Sequence, residues 1–264
     1  MAYNEILFEK IDRVAKITLN RPKVKNALSP ELMAEMGEAI EEVSRDTGIK
    51  ALIITGAGDT FSGGGDVERM LKDFGHMTSL EIRKHLSKFY RRGAVALRSL
   101  EIPVIGAING PVVGAGFDFS LHCDLRIAST TARFGSIWVR ISTIPALGGM
   151  FLLPRIIGLA RASQMMMTGE IIDAEEAYRI GLVNKIVPPE KLQETAMELA
   201  QRLAHGATAA ISIIKNGINR GLDGTLPGEI DYAIYMQSLC MNMEDHREGM
   251  MAFKEKRKPN FRGR

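Results

Sequence analysis

Two glycine-rich stretches hold the residues whose types and spacing suit chemistry. In "ALIITGAGDTFSGGGDVERM" three glycines, Gly63 to Gly65, run into Asp66 and a helix-like segment, and in "IPVIGAINGPVVGAG" the run Gly114, Ala115, Gly116 again follows an apolar stretch. Neither is a nucleotide signature. The dinucleotide pattern GxGxxG fails because Gly56 and Gly58 are followed by Phe61, and the phosphate-cradling GxxxxGK[ST] occurs nowhere. A GxSxG nucleophile elbow and an HExxH zinc motif are absent too, and the five histidines are scattered. What remains is backbone. Small residues let a ligand approach the main chain, and a helix start offers unpaired N–H groups with partial positive charge. Two such starts could face one oxygen, where removing one preorganised donor costs roughly 3 kcal/mol in the barrier. The same spacing also suits two ordinary strand-to-helix turns.

The elements that must position these turns follow from periodicity. "AKITLN" (Ala15 to Asn20) alternates with period two, while "ALIIT" (Ala51 to Thr55), "IPVIGAING" (Ile102 to Gly110) and "DLRIAS" (Asp124 to Ser129) read as further strands. Ser29 is a suitable N-cap with Pro30 at the first helical position, and Leu32, Met36, Ala39, Ile40 and Val43 then share one helical face. A second helix is expected over Ser79 to Leu100. From Glu190 onward strand signals give way to helical periodicity, broken near Gly206, Gly221 and Pro227. The expectation is an α/β core over residues 1–200 with a helical C-terminal region over 201–264, the boundary being soft.

Composition narrows the class. With 264 residues, 45% of them hydrophobic and 25% charged, the chain can bury a sizeable core. No run approaches the ~18 apolar residues of a membrane span, and the charged N-terminus lacks a signal-peptide core, so a cytoplasmic location and no membrane partner are expected. Cys123 and Cys240 lie far apart without a CxxC, so both are expected to be buried, inert thiols, with neither a disulfide framework nor a zinc site. Net charge is only +3, but the closing "KEKRKPNFRGR" holds six basic side chains against one Glu. Such a tail suits a phosphorylated small molecule, nucleic acid or simple solvation; no nucleic-acid motif accompanies it, so no nucleic-acid partner is expected.

Six segments in order carry a resemblance. "NRPKVKNALS" (Asn20 to Ser29), "FSGGGDVERM" (Phe61 to Met70), "AINGPVVGAGFDFSLHCDLRIAS" (Ala107 to Ser129), "TIPALGG" (Thr143 to Gly149), "GLVNKIV" (Gly181 to Val187) and "AFKEKRKPNF" (Ala252 to Phe261) resemble the crotonase superfamily, the enoyl-CoA hydratase/isomerase family, over essentially the whole chain. The resemblance implies an α/β spiral of strand-strand-helix units with a helical C-terminal extension, assembled as a homotrimer or a dimer of trimers. It implies an acyl-CoA substrate whose thioester oxygen sits between the N–H groups of Gly65 and Ala115. Contacts to CoA are implied for Lys25, Ala27 and Leu28, for Gly63, Gly64, Gly65, Asp66 and Val67, and for Lys256. The substrate pocket is implied at Pro111, Val113, Gly114, Trp138 and Val139. No metal is implied, and no cofactor beyond the coenzyme A that the substrate carries.

The acid–base residues depart from the family pattern. Hydratases of this kind have two Glu side chains over the double bond, and the matching positions here are Asp118 and Trp138. Asp118 keeps a carboxylate, three residues beyond Ala115 and so near the same helix face. Trp138 cannot transfer a proton; it suits an apolar wall with an indole N–H available to orient a polar group. One carboxylate could take a proton from water and return it to Cα, or the Cα proton could arrive through solvent; because the resemblance puts Asp118 where hydratases handle water, hydration comes first and double-bond isomerisation is the runner-up, with hydrolysis or decarboxylation in the same superfamily and a CoA-binding protein without turnover behind them. His122, four residues after Asp118, either orients that carboxylate or is a satisfied core residue. Asp66 also suits a helix N-cap. Glu68 and Arg69 have no direction fixed by sequence.

Overall fold

The computed structural model describes residues 3–264, with the backbone alone for residues 89–92. It begins with a hairpin, in which β1 (Ile6–Ile11) pairs antiparallel with β2 (Val14–Leu19). Ser29 then caps α1 (Pro30–Arg45), its hydroxyl accepting from the Leu32 N–H at 3.1 Å, and the expected face from Leu32 to Val43 is buried. Here local chemistry and tertiary packing agree. β3 (Ala51–Gly56) is buried at every position, as expected for a strand covered on both faces. After the first glycine turn come α2 (Val67–Phe74) and α3 (Ser79–Ser99), the latter opened by a Thr78–Glu81 capping box.

The chain next makes a repeating circuit. β4 (Val104–Ile108) joins the large sheet, β5 (Val112–Val113) joins a small one, and α4 (Gly114–Ser120) follows. β6 (Leu125–Ser129) and β7 (Arg133–Gly135) repeat the step between sheets, before a 3-10 turn over Ile137–Ile141. α5 (Gly149–Ile157), α6 (Leu159–Thr168), β8 (Ile171–Asp173), α7 (Ala174–Arg179) and β9 (Lys185–Val187) complete the core. The large sheet has the order β1-β2-β3-β4-β6-β9 and is parallel from β2 onward; the small sheet runs β5-β7-β8. The four strands expected from sequence are β2, β3, β4 and β6. The strands that escaped pattern reading were chiefly the small-sheet strands of two or three residues and β9, which are too short to show a period.

Two layers hold the large sheet. One face, formed by Val14, Ala51, Ile53, Ile105, Ala107, Ile127 and Val187, lies under α8 (Leu192–Ala204), whose Ala196, Ala200 and Ala204 recur every four residues and let the helix settle close. The other face packs on α1 and α3 in the main core. A boundary near residue 200 falls within α8. α9 (Thr208–Gly221), α10 (Leu226–Met241) and α11 (Glu244–Glu255) follow. The expected break near Gly221 and Pro227 falls at residues 222–225, and Pro227 stands just beyond it in the first turn of α10, where a proline sacrifices no helical hydrogen bond. A break that sequence did not indicate separates α10 from α11. Cys123 is buried and its thiol is pushed up to about 12, whereas Cys240, on a helix with no buried residue, is only half-buried, which corrects the expectation that both are enclosed.

Candidate active site

Three segments distant in sequence meet at the glycine turns. Beyond β2 the chain reverses at Lys25 and Asn26, with φ of 53° and 52°. The buried Asn26 side-chain amide donates to the carbonyls of Ala57 (2.9 Å) and Thr60 (2.7 Å), and the Asn26 backbone carbonyl accepts from Ser62 Oγ at 2.9 Å. The Gly63 N–H donates to the Lys25 carbonyl and the Leu28 N–H to the Gly64 carbonyl, both at 2.7 Å. Lys25, Ala27 and Leu28 are therefore aligned along Gly63, Gly64 and Gly65. Arg21 ties this alignment to the next helix: one guanidinium nitrogen donates to the Ala27 carbonyl at 2.7 Å and the group pairs with Asp66 at 3.3 Å. Asp66 also accepts from the Arg69 N–H as N-cap of α2. Asp66 thus acts as the helix cap, one of its two sequence readings.

The second turn lies against the first. The Pro111 carbonyl accepts from the N–H groups of Phe61 and Ser62, and the Val113 N–H donates to the Ser62 carbonyl at 3.1 Å. Gly64 has φ of 101°, a region that favours glycine, and a methyl built on it would stand 3.5 Å from the Ala115 nitrogen and 3.7 Å from the Gly114 Cα. A side chain at Gly116 would collide with Ser62. Thus both turns are glycine-rich because two backbones pass at contact distance. Among the described residues neither the Gly65 nor the Ala115 N–H donates a hydrogen bond. A pair of uncommitted donors beside one another is the arrangement an oxyanion requires.

Asp118 lies one turn further along α4 and is fully buried. Burial raises its pKa from the usual carboxylate range to about 7, against the opposing pull of the Leu147, Trp138 and Gly149 N–H groups. The Leu147 N–H donates to Oδ2 at 3.4 Å. The Trp138 indole N–H lies near enough to favour the ionised carboxyl yet closes no hydrogen bond: Oδ1 and Trp138 Nε1 are both buried without a partner. Gly149 presses its backbone on the carboxylate so closely that any side chain there would overlap Oδ1. Among the described hydrogen bonds none joins His122 to Asp118. Its Nε2–H donates to the Leu147 carbonyl at 2.7 Å, so the imidazole reaches the carboxylate only through residue 147.

The other named positions separate into two groups. Val113 and Gly114 belong to the second turn, and Ile137, beside Trp138, stands 3.7 Å from a methyl built on Gly114. Pro111, Val67 and Val139 are exposed at the margin. Arg69 pairs with Glu31 and Asp73, while Glu68 points to solvent. Lys256 stands apart: it ends α11 in a tail held by Asp245, and none of the described interactions joins it to the Lys25 or Gly63 turns. Two clefts share Leu86 of α3: Leu28, Asp66 and Met70 line one, and His122, Ala146 and Leu147 line the other. Among the described residues no group of three or more His, Cys, Asp or Glu side chains gathers as metal ligands, and no helix is long and apolar enough to cross a membrane. Sequence reasoning gave no role to Gly149 or Leu147. Their only signal was the "LGG" within a resembling segment.

The fold is a crotonase-type spiral, and the second of its two adjoining glycine turns opens the helix that carries a buried carboxylate. Residues 9–264 match the family model described as enoyl-CoA hydratase/isomerase, and the chain belongs to that family. It is 39% identical over 262 residues to a short-chain-enoyl-CoA hydratase of Clostridium acetobutylicum, covering 98% of this chain and 97% of that one. It is 37% identical to an (E)-benzylidenesuccinyl-CoA hydratase of Thauera aromatica, covering 98% and 99%. The crystal structure of an enoyl-CoA hydratase from Bacillus anthracis superposes with a TM-score of 0.92 at 34% identity, covering 99% of this chain and 100% of that one.

Proposed function

We propose that the chain adds water across the double bond of an α,β-unsaturated acyl-CoA, with Asp118 as its only side-chain acid–base. The observation that carries this reading is the buried Asp118 carboxyl, raised to about 7 and with Oδ1 unpartnered, on the helix whose first turn holds the Ala115 donor. Ionised Asp118 takes a proton from water as the water oxygen bonds to Cβ. The Cα=Cβ electron pair moves toward the thioester, whose oxygen takes the negative charge between the N–H groups of Gly65 and Ala115. The enolate then collapses and Cα receives the proton held by Asp118. Both amides bind the enolate more tightly than the ground state, which is what accelerates the step. Lys25, Ala27, Leu28 and Gly63 to Val67 hold the CoA moiety, with Lys256 and its basic neighbours offering charge to phosphate. As written, the reaction uses no group beyond the CoA of the substrate.

Trp138 walls the acyl pocket with Pro111, Val113, Gly114 and Val139, and favours a bulky acyl group such as a dienoyl or cyclic one. A fully buried carboxylate meets an acyl group only when its wall moves, and the flank of that wall, from Val139 to Ile144, is exposed. Isomerisation is the second reading, because one carboxylate suffices to move one proton between carbons. The chain acts as a homotrimer or a dimer of trimers, a reading supported by α10, an apolar helix without a buried residue. A panel of crotonyl-CoA, longer enoyl-CoAs, 3-enoyl-CoAs and cyclic dienoyl-CoAs, followed by mass and double-bond absorbance, tests the activity. Gain of one water by a conjugated member is expected. Isomerisation without mass change on the 3-enoyl member alone selects the second reading, and binding without any conversion overturns both.

A further inference from the structure

His122 is a buried histidine that the proton-transfer scheme leaves unused, and its environment is specific. It follows the C-terminus of α4, four residues after Asp118, and donates from Nε2 to the Leu147 carbonyl at 2.7 Å. A carbonyl only accepts, so the proton sits on Nε2. Nδ1 is buried with no partner, and a second proton there would have no acceptor. Burial, assisted by the charge of Arg98 on α3, accordingly lowers the His122 pKa and keeps the ring neutral. The same Leu147 whose carbonyl His122 holds turns its N–H to Asp118 Oδ2 at 3.4 Å. Gly148 follows with φ of 90°, and Gly149 then packs on Oδ1. Residues 147 to 149 thus form a strap over the carboxylate, and His122 is its anchor from the helix that carries Asp118.

We propose that His122 is a positioning residue for the acid–base group, fixing the Leu147 peptide so that its N–H addresses Asp118. The inference rests on Asp118 being the proton-transfer group, yet its geometry can be tested on the free protein. The Leu147 N–H is the first of the groups that pull the Asp118 carboxyl down, and no charged side chain is among the influences on it; His122 itself is faced by Arg98. Loss of the anchor therefore releases a hydrogen bond to the ionised form, and the carboxyl titrates higher by about half to one pH unit.

The test follows the Asp118 carboxyl by 13C NMR in protein labelled at Asp, the signal being assigned by its loss in Asp118→Asn. His122→Phe removes the donor; His122→Gln returns an amide N–H near the position of Nε2; His122→Asn carries an amide too short to reach Leu147. The expected result is an upward shift of the midpoint in Phe and Asn and a return to the wild-type value in Gln. An unchanged midpoint in Phe or Asn, whichever folds, or a Gln variant that shifts as far as Asn, overturns the proposal. Because the titration is read without turnover, it is separate from the test of function: an Asp118→Asn variant that still converts enoyl-CoA would overturn the role of Asp118 and leave the strap intact.

Discussion

At Asp118 a single carboxyl is placed where charge is costly. One pKa unit corresponds to about 1.4 kcal/mol, so a rise from 3.8 to about 7 means that burying the ionised form costs up to about 4 kcal/mol at pH 8. The folded pKa lies above the unfolded one, so stability from this group is full below about pH 4 and declines until the pH passes about 7. Asp118→Asn, which carries no charge, is therefore expected to raise the thermal midpoint at pH 8 and to leave it little changed at pH 4. Equal midpoints at pH 8 would mean that the carboxylate is solvated or paired. Turnover should show the matching trend: the base works ionised, so kcat/KM falls as pH drops below about 7, and a profile flat from pH 5 to 8 would contradict it. Gly149→Ala should push the carboxylate from its seat, lowering kcat about 10- to 100-fold and costing about 1–3 kcal/mol of stability. Unaltered kcat would show that the Gly149 contact is slack.

At the scale of elements, local signals were read well and distant ones poorly. The cap at Ser29 and the face of α1 needed only neighbours in sequence, and both were legible. The meeting of Gly64 with Gly114, and of Gly149 with Asp118, depends on how the spiral brings separate circuits together, and no period records it. The pairing of glycine turns was reachable only because small residues at both places invite close approach; the strap at 147 to 149 was not reachable from spacing at all. α9 offers a further case. Its buried Lys215 pairs with Asp124 at 2.8 Å and donates to the Ile102 carbonyl, joining the C-terminal helices to the start of β6. Lys215→Met leaves Asp124 without its partner, and about 3 kcal/mol of destabilisation is expected, with faster amide exchange in α9. Exchange in α9 equal to wild type would show that its apolar contacts alone hold it.

The whole molecule presents more apolar surface than one chain covers. Ile230, Ile234 and Tyr235 of α10 are all exposed, and α10 lacks the one-sided pattern that marks a helix packed on its own core, which is why sequence periodicity placed the helix but not its partner. Sedimentation should give three or six copies, with Ile234→Glu shifting the protein toward single chains; a wild-type monomer at micromolar concentration would contradict the assembly. Family membership was legible from six ordered motifs, and the resemblance pairs Trp138 with a position that carries Glu in two-carboxylate hydratases. The most direct measurement is the turnover of Asp118→Asn beside wild type on whichever conjugated enoyl-CoA the wild type hydrates, with acyl-CoA affinity measured in parallel. A loss of at least about 100-fold in kcat with affinity unchanged is predicted for a lone acid–base carboxylate, and a variant that hydrates at the wild-type rate would contradict it.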